Sequence, residues 1–203
     1  EKTITGGHFH GQPIAMPIDY AGLAASELGN ISDRRIYLSL IESVPGLPKL
    51  FMEHTGLNSG FMIMQYTSAA LVSENKSLCF PASADSIPTS LGQEDHVSMG
   101  SISARKSLKI IENLERVLAI ELITAAQGFD FRKPLRSGIL INEAHGYIRQ
   151  HISFADKDRI YLPDIEEAIT LVKSKQVIHH LNRVADKNNI DFKNDKHEIF
   201  GIY

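Results

Sequence analysis

Residues Asp95–Gln127 read DHVSMGSISARKSLKIIENLERVLAIELITAAQ, the longest helical pattern in the chain. Ile102 is followed six residues on by Leu108, and from there Ile111, Leu114, Leu118, Leu122 and Ala125 recur at steps of three and four, the period of one helix face. From Val117 to Ile123 the pattern is apolar nearly all round, which predicts a helix inside a bundle rather than on its surface. Glu112 and Arg116 stand four residues apart and can pair for about 0.3 kcal/mol. A helix of about 30 residues spans roughly 45 Å. That is longer than a domain of this size needs for itself, so the bundle is expected to continue into other chains or another part of the protein.

Upstream of this pattern lies Pro88-Thr89-Ser90-Leu91-Gly92-Gln93-Glu94-Asp95-His96-Val97. An amide, two carboxylates and an imidazole here adjoin an apolar run. At the start of a buried helix such charge is costly unless it is partnered or used. Glu94 reads either as a functional carboxylate held by the amide dipoles or as a plain helix-start acid, and Ser90 with Gln93 has the spacing of a capping box. Asp95 and His96 are adjacent, so on a helix they point apart.

The flanks are helical as well. A helix is predicted from Pro17 to a stop at Gly29-Asn30, and a second is capped at Ser32-Asp33 and broken by Pro45-Gly46-Leu47-Pro48. Leu57 to Leu78 reads as a buried helix, with Asn58 or Ser59 as its cap. Further helices are expected from Pro134 to Gln150, from Pro163 to about Lys173 and from Val177 to Ala185. From Lys187 the chain is polar and is expected to be poorly ordered. Residues 3–16 read as a packed loop rich in turn formers. No period-2 run of strand length is present, and the class is all-α.

The chain has 203 residues, 43% hydrophobic and 22% charged, ordinary values for a folded protein. A net charge of −3 gives no electrostatic reason to expect nucleic acid or an anionic membrane as partner. Cys79 is the only cysteine, which fits a reducing cytoplasm. The uncharged run from Gly56 to Ser73 is too polar for a membrane span. His8 and His10 could share a face of an extended segment, but a metal needs a third ligand and no ligand spacing supplies one. A Ser–His–Asp triad, a P-loop and a dinucleotide fingerprint are all missing.

Several motifs, in order, resemble those of histidine ammonia-lyases in the aromatic amino acid lyase family. They are Gly7-His8-Phe9-His10-Gly11, Gly56-Leu57-Asn58-Ser59-Gly60-Phe61-Met62-Ile63, Ser73-Glu74-Asn75-Lys76, Asp85 to Ser90 and Gln93 to Met99. Val117 to Glu121 and Ala125-Ala126-Gln127-Gly128 close the set, and the likeness covers roughly residues 5–170. His8 and Gly92 stand where the family commonly has asparagine.

The resemblance implies non-oxidative elimination of ammonia from L-histidine to give urocanate, in a helical homotetramer. Glu94 would face the substrate imidazole, Phe9 would lie beside the substrate ring and the electrophile, and Gln93 would support them. Relatives acting on tyrosine or phenylalanine typically carry glutamine at the place of Glu94. The electrophile is a methylidene-imidazolone formed from Ala-Ser-Gly, a tripeptide these 203 residues do not contain, since Ala82-Ser83 is followed by Ala84. That group and the catalytic tyrosine are therefore expected in an N-terminal portion preceding Glu1, and this chain alone is expected to be inactive. Residues 1–128 would belong to the lyase helical core and 129–203 to a C-terminal helical region. The rival readings are a tyrosine or phenylalanine ammonia-lyase or aminomutase, and a non-catalytic helical oligomerisation module.

Overall fold

The computed structural model describes residues 2–4, 6–42 and 45–192. Six helices follow in order: α1 (Gln12–Leu40), α2 (Met62–Leu78), α3 (Gly100–Asp130), α4 (Ile139–His151), α5 (Leu162–Ser174) and α6 (Gln176–Lys187). The described residues form no strand, only two isolated bridges, Thr55–Asn58 and Thr89–Glu94. The all-α expectation holds. None of the helices is long and apolar enough to cross a membrane.

Helices α1 and α3 form the central pair, with α2 against both, α5 on α3, and α6 on α4. The core gathers Ile36, Phe51, Phe61, Val117, Ile120 and Leu171. Edge-on ring contacts extend it, Phe61 to Tyr161 at 5.4 Å and Phe131 to Phe154 at 5.4 Å. Such pairs add about 0.5–1.5 kcal/mol beyond their buried area.

Three expectations about the helices are corrected. First, α1 does not stop at Gly29-Asn30 but runs on to Leu40. Gly29 lies where α1 meets Val72, Asn75 and Leu114. Ser32 and Asp33, which look like caps, instead join helices. The Ser32 hydroxyl donates to Glu121 at 2.5 Å, Arg35 pairs with the same carboxylate, and Ser68 donates to Asp33 at 2.5 Å. Polar residues that satisfy one another across a helix crossing carry no stop signal.

Second, α3 begins at Gly100, not near Asp95. Its inward face is not the stripe counted in the sequence. Ser103, Ser107, Ile110, Asn113, Val117 and Ile120 are buried, while Leu108 is 60% and Ile111 48% exposed. Small and polar residues face α1 and α2 because the helices approach closely there. The expected Glu112–Arg116 pair is present at 4.0 Å.

Third, α2 begins at Met62, and no cap bond comes from Asn58 or Ser59. Instead, the amides of Ser59 and Gly60 donate to the Asp158 carboxylate at 2.7 and 2.8 Å, and the Asp158 amide donates to the Asn58 side chain at 3.1 Å. A turn that donates its amides to a distant acid replaces the cap.

At the C-terminal end, α4 starts five residues after Pro134, past the break at Ser137-Gly138, and α5 and α6 lie close to their expected spans. The expectation of a poorly ordered tail falls mostly on residues 193–203, which lie outside the described residues.

Candidate functional site

Two loops, each leading into a long helix, meet at one end of the α1–α3 pair. The first carries Phe9 and runs into α1, whose first turn closes when the amides of Ile14 and Ala15 donate to the Gly11 carbonyl at 3.1 and 3.0 Å. The packed loop expected here is not observed. Residues 2–4 and 6–10 are exposed, Phe9 at 94%, because none of the other described residues covers them.

The second loop carries Glu94. Ser90, Leu91 and Gly92 all have left-handed backbone, with φ of 54°, 57° and 89°. They fold the chain into a tight turn, closed where the Thr89 amide donates to the Glu94 carbonyl at 2.9 Å and the Glu94 amide donates back at 3.3 Å. Downstream, the Val97 amide donates to the Ser86 hydroxyl at 2.9 Å. Glu94 is therefore exposed and lies six residues ahead of α3, not at the helix start the sequence suggested. The capping-box reading fails with it, because Ser90 and Gln93 join through the Gln93 amide and the Ser90 carbonyl at 3.2 Å, inside the turn.

The structure brings Phe9 and Glu94 to one open cleft of about 470 Å³, lined also by His10, Thr89, His96 and Ser98. Gln93 is exposed beside it and is not among the lining residues. Sequence reasoning missed the bridge between the two loops. The His10 and His96 rings stack at 5.1 Å, 13° from parallel, and His10 Nε2 lies 2.7 Å from the His96 carbonyl. His10 appeared in the sequence only as half of a histidine pair. Its place between Phe9 and the first residue of a helix was the available signal.

Among the described residues no group of three or more His, Cys, Asp or Glu side chains is placed to hold a metal ion. An apolar cavity of about 610 Å³ opens between α2, α3 and α5, lined by Ile63, Met64, Ile120, Tyr161 and Ile165. Burial, reinforced by Asp158, raises the Tyr161 phenol above its ordinary value and keeps it neutral. That phenol is also cut off from solvent, and of the charged side chains in the lining Asp158 is held by the Ser59 and Gly60 amides and Arg159 by Asp164. The cleft, with a carboxylate, an imidazole, hydroxyls and a bare aromatic ring, can bind a small cationic or hydrogen-bonding aromatic ligand.

Near the cleft, Ser83 in the Ala82–Ala84 turn donates its amide to Asp19 at 2.8 Å. Burial pushes Asp19 up, but the bonds from Ser83 and Ser103 and the nearby Lys106 outweigh it, and its carboxyl lies below the ordinary value. This Ala-Ser pair thus anchors a loop.

The profile of the family described as aromatic amino acid lyase matches residues 1–150. A histidine ammonia-lyase of Natranaerobius thermophilus is 48% identical over 183 residues, 90% of this chain and 36% of the relative. One from Sorangium cellulosum is 53% identical over 178 residues, 87% of this chain and 35% of the relative. Among solved structures, histidine ammonia-lyase from Trypanosoma cruzi superposes with a TM-score of 0.85 at 45% identity, covering 90% of this chain and 36% of that one. Tyrosine aminomutase from Streptomyces globisporus superposes with 0.87 at 30% identity, covering 96% and 36%. The chain thus spans about a third of the length of these relatives.

Proposed function

This chain belongs to the aromatic amino acid lyase family, and from that premise we propose that it is the part of a histidine ammonia-lyase that holds the substrate ring. The observation that carries the reading is the meeting of Phe9 and Glu94 at one cleft. Glu94 accepts a hydrogen bond from the substrate imidazole, and a charge-assisted bond of this kind is worth about 1.5–3 kcal/mol. Phe9, left bare by this chain, packs against the ring. Gln93 supports the Glu94 loop from outside the cleft.

The family's electrophile, a methylidene-imidazolone, holds the substrate's amino group while a base takes the β-proton. These 203 residues cannot form it, because they contain no Ala-Ser-Gly. It is supplied by an N-terminal portion of the same protein, whose docking also covers Phe9. At the two departures from the family pattern, His8 and Gly92, the backbone is left-handed with φ of 61° and 89°, a conformation that glycine adopts freely and asparagine tolerates. The protein assembles as a homotetramer, a reading supported by the apolar residues left exposed on α1 and α3, among them Tyr20, Ile31, Leu108 and Ile111. The compartment is the cytoplasm, in keeping with the single unpaired Cys79.

The test is Glu94→Gln in the complete enzyme, with kcat/KM measured for histidine, tyrosine and phenylalanine. The value for histidine falls roughly 10- to 100-fold. The penalty against the other two shrinks, because an amide beside a neutral ring costs less than a carboxylate. Unchanged histidine kinetics would sink the assignment, and a wild type that prefers tyrosine or phenylalanine would favour the ammonia-lyases or aminomutases of those amino acids.

A further inference from the structure

We infer that His10 is a positioning residue that locks the Phe9 loop to the Glu94 loop and so sets the width of the cleft between them. The inference rests on the reading of Phe9 and Glu94 as the groups that hold the substrate ring.

Three observations converge on His10. Its Nδ1 accepts the Gln12 amide at 3.1 Å, which ties the ring to the first residue of α1. An accepting Nδ1 carries no proton, so the proton of the neutral ring is on Nε2, and Nε2 donates to the His96 carbonyl at 2.7 Å. Both ring nitrogens are therefore committed, one to each loop, across 86 residues of sequence. The His96 ring stacks on His10 at 5.1 Å and limits its rotation.

Among the described residues, no other hydrogen bond joins the loops so close to the cleft's two key residues. His10 follows Phe9, and His96 lies two residues beyond Glu94. The next contact is at Gly11, where an added Cβ would come within 2.9 Å of Ser98 Oγ. The turn at Thr89–Glu94 and the Ser86–Val97 bond fix the Glu94 loop to itself, not to the other wall. Glu94 is exposed and Phe9 is 94% exposed among the described residues, so neither sets the distance to the other. The ring of His10 does. A substrate that must touch both walls binds well only while the gap is held, and a small misplacement of one wall weakens the contact.

The test separates the hydrogen bond from the stacking and from folding. His10→Phe keeps an aromatic ring and removes both hydrogen bonds. His10→Gln keeps a donor of similar reach. His96→Ala removes the stacked ring and leaves the accepting carbonyl in place. In the complete enzyme, His10→Phe raises KM for histidine roughly tenfold with a smaller fall in kcat, and His10→Gln stays within about threefold of wild type in both. His96→Ala, which loses the stacked ring but keeps the accepting carbonyl, raises KM for histidine by less than His10→Phe does. In the 203-residue chain, His10→Phe speeds amide exchange at Glu94 and Val97.

A purely structural role would lower the melting temperature and the active fraction but leave KM unmoved. An unchanged KM in His10→Phe therefore overturns the inference, whatever happens to kcat. Should the wild type fail to deaminate histidine, the reading of the substrate fails instead. Amide exchange then decides the lock by itself, faster exchange in His10→Phe supporting it and unchanged exchange overturning it.

Discussion

A methyl group on Gly60 would sit 2.6 Å from the Leu50 carbonyl and 2.8 Å from Met52 Cβ, at a φ of 56°. Both obstacles are fixed, one backbone and one buried. Gly60→Ala is expected to cost about 2–4 kcal/mol, measured by denaturant unfolding. Gly56→Ala is the control. Its φ is 107°, but its Cβ would meet nothing within 4 Å, so it loses clearly less. Equal losses would show that backbone strain alone matters and that the contact with Leu50 does not. At this scale the sequence was informative about which residues matter and poor about how. Asn58, Ser59 and Gly60 were conspicuous as a motif, yet cap chemistry was the nearest local account of them. Their real partner, Asp158, is distant along the chain, and no local pattern points to it.

The helices themselves were largely legible, since periodicity depends on neighbours along the chain. Their joints were not. Ser32 and Asp33 carry the same residue types as a cap and serve as cross-helix bonds, and only the third dimension separates the two uses. Glu94 was placed on a helix because the polar run flows without a break into α3, but three consecutive left-handed residues turn the chain first. Phe9 and Glu94, both conspicuous in the sequence, line one cleft, while the link between His10 and His96 is spatial and leaves no local pattern. The joint between α3 and α4 is testable by pH. Asp130 ends α3 and meets Lys133, His145 and Arg149 at 2.6, 3.2 and 2.7 Å. Burial raises its carboxyl, but the bonds from Lys133, His145 and Arg149 outweigh it, so it titrates below its ordinary value. Its contribution is complete above the ordinary carboxylate range and is lost as pH falls through the lower folded value. Asp130→Asn is expected to cost about 1–3 kcal/mol at neutral pH, and the gap to wild type narrows as pH falls from about 6 to about 3. A gap that stays constant across that range would rule out the ionised carboxylate as its source.

As a whole, the molecule turns a great deal of apolar surface outward. Tyr20 is 74% and Leu108 60% exposed, on the two helices that form its centre. Of the stripe counted in the sequence, Ile102, Leu108, Ile111 and Ala125 are exposed while Leu114, Leu118 and Leu122 are half-buried, a position that fits a helix lying between other helices of an assembly. The purified chain is expected to sediment above monomer mass at micromolar concentration, and Leu108→Glu to shift it toward monomer with little change in helix content. A compact monomer at those concentrations would contradict this. The Asp158 clasp also bears on how the chain folds. It joins positions 98 residues apart, whereas the bond between Ser68 and Asp33 closes only 35. Long closures lose more chain entropy before contacts repay it, so the clasp is expected to form after the Ser68–Asp33 bond. A late contact adds little to the speed of assembly and much to its permanence, so the clasp works chiefly as a brake on unfolding.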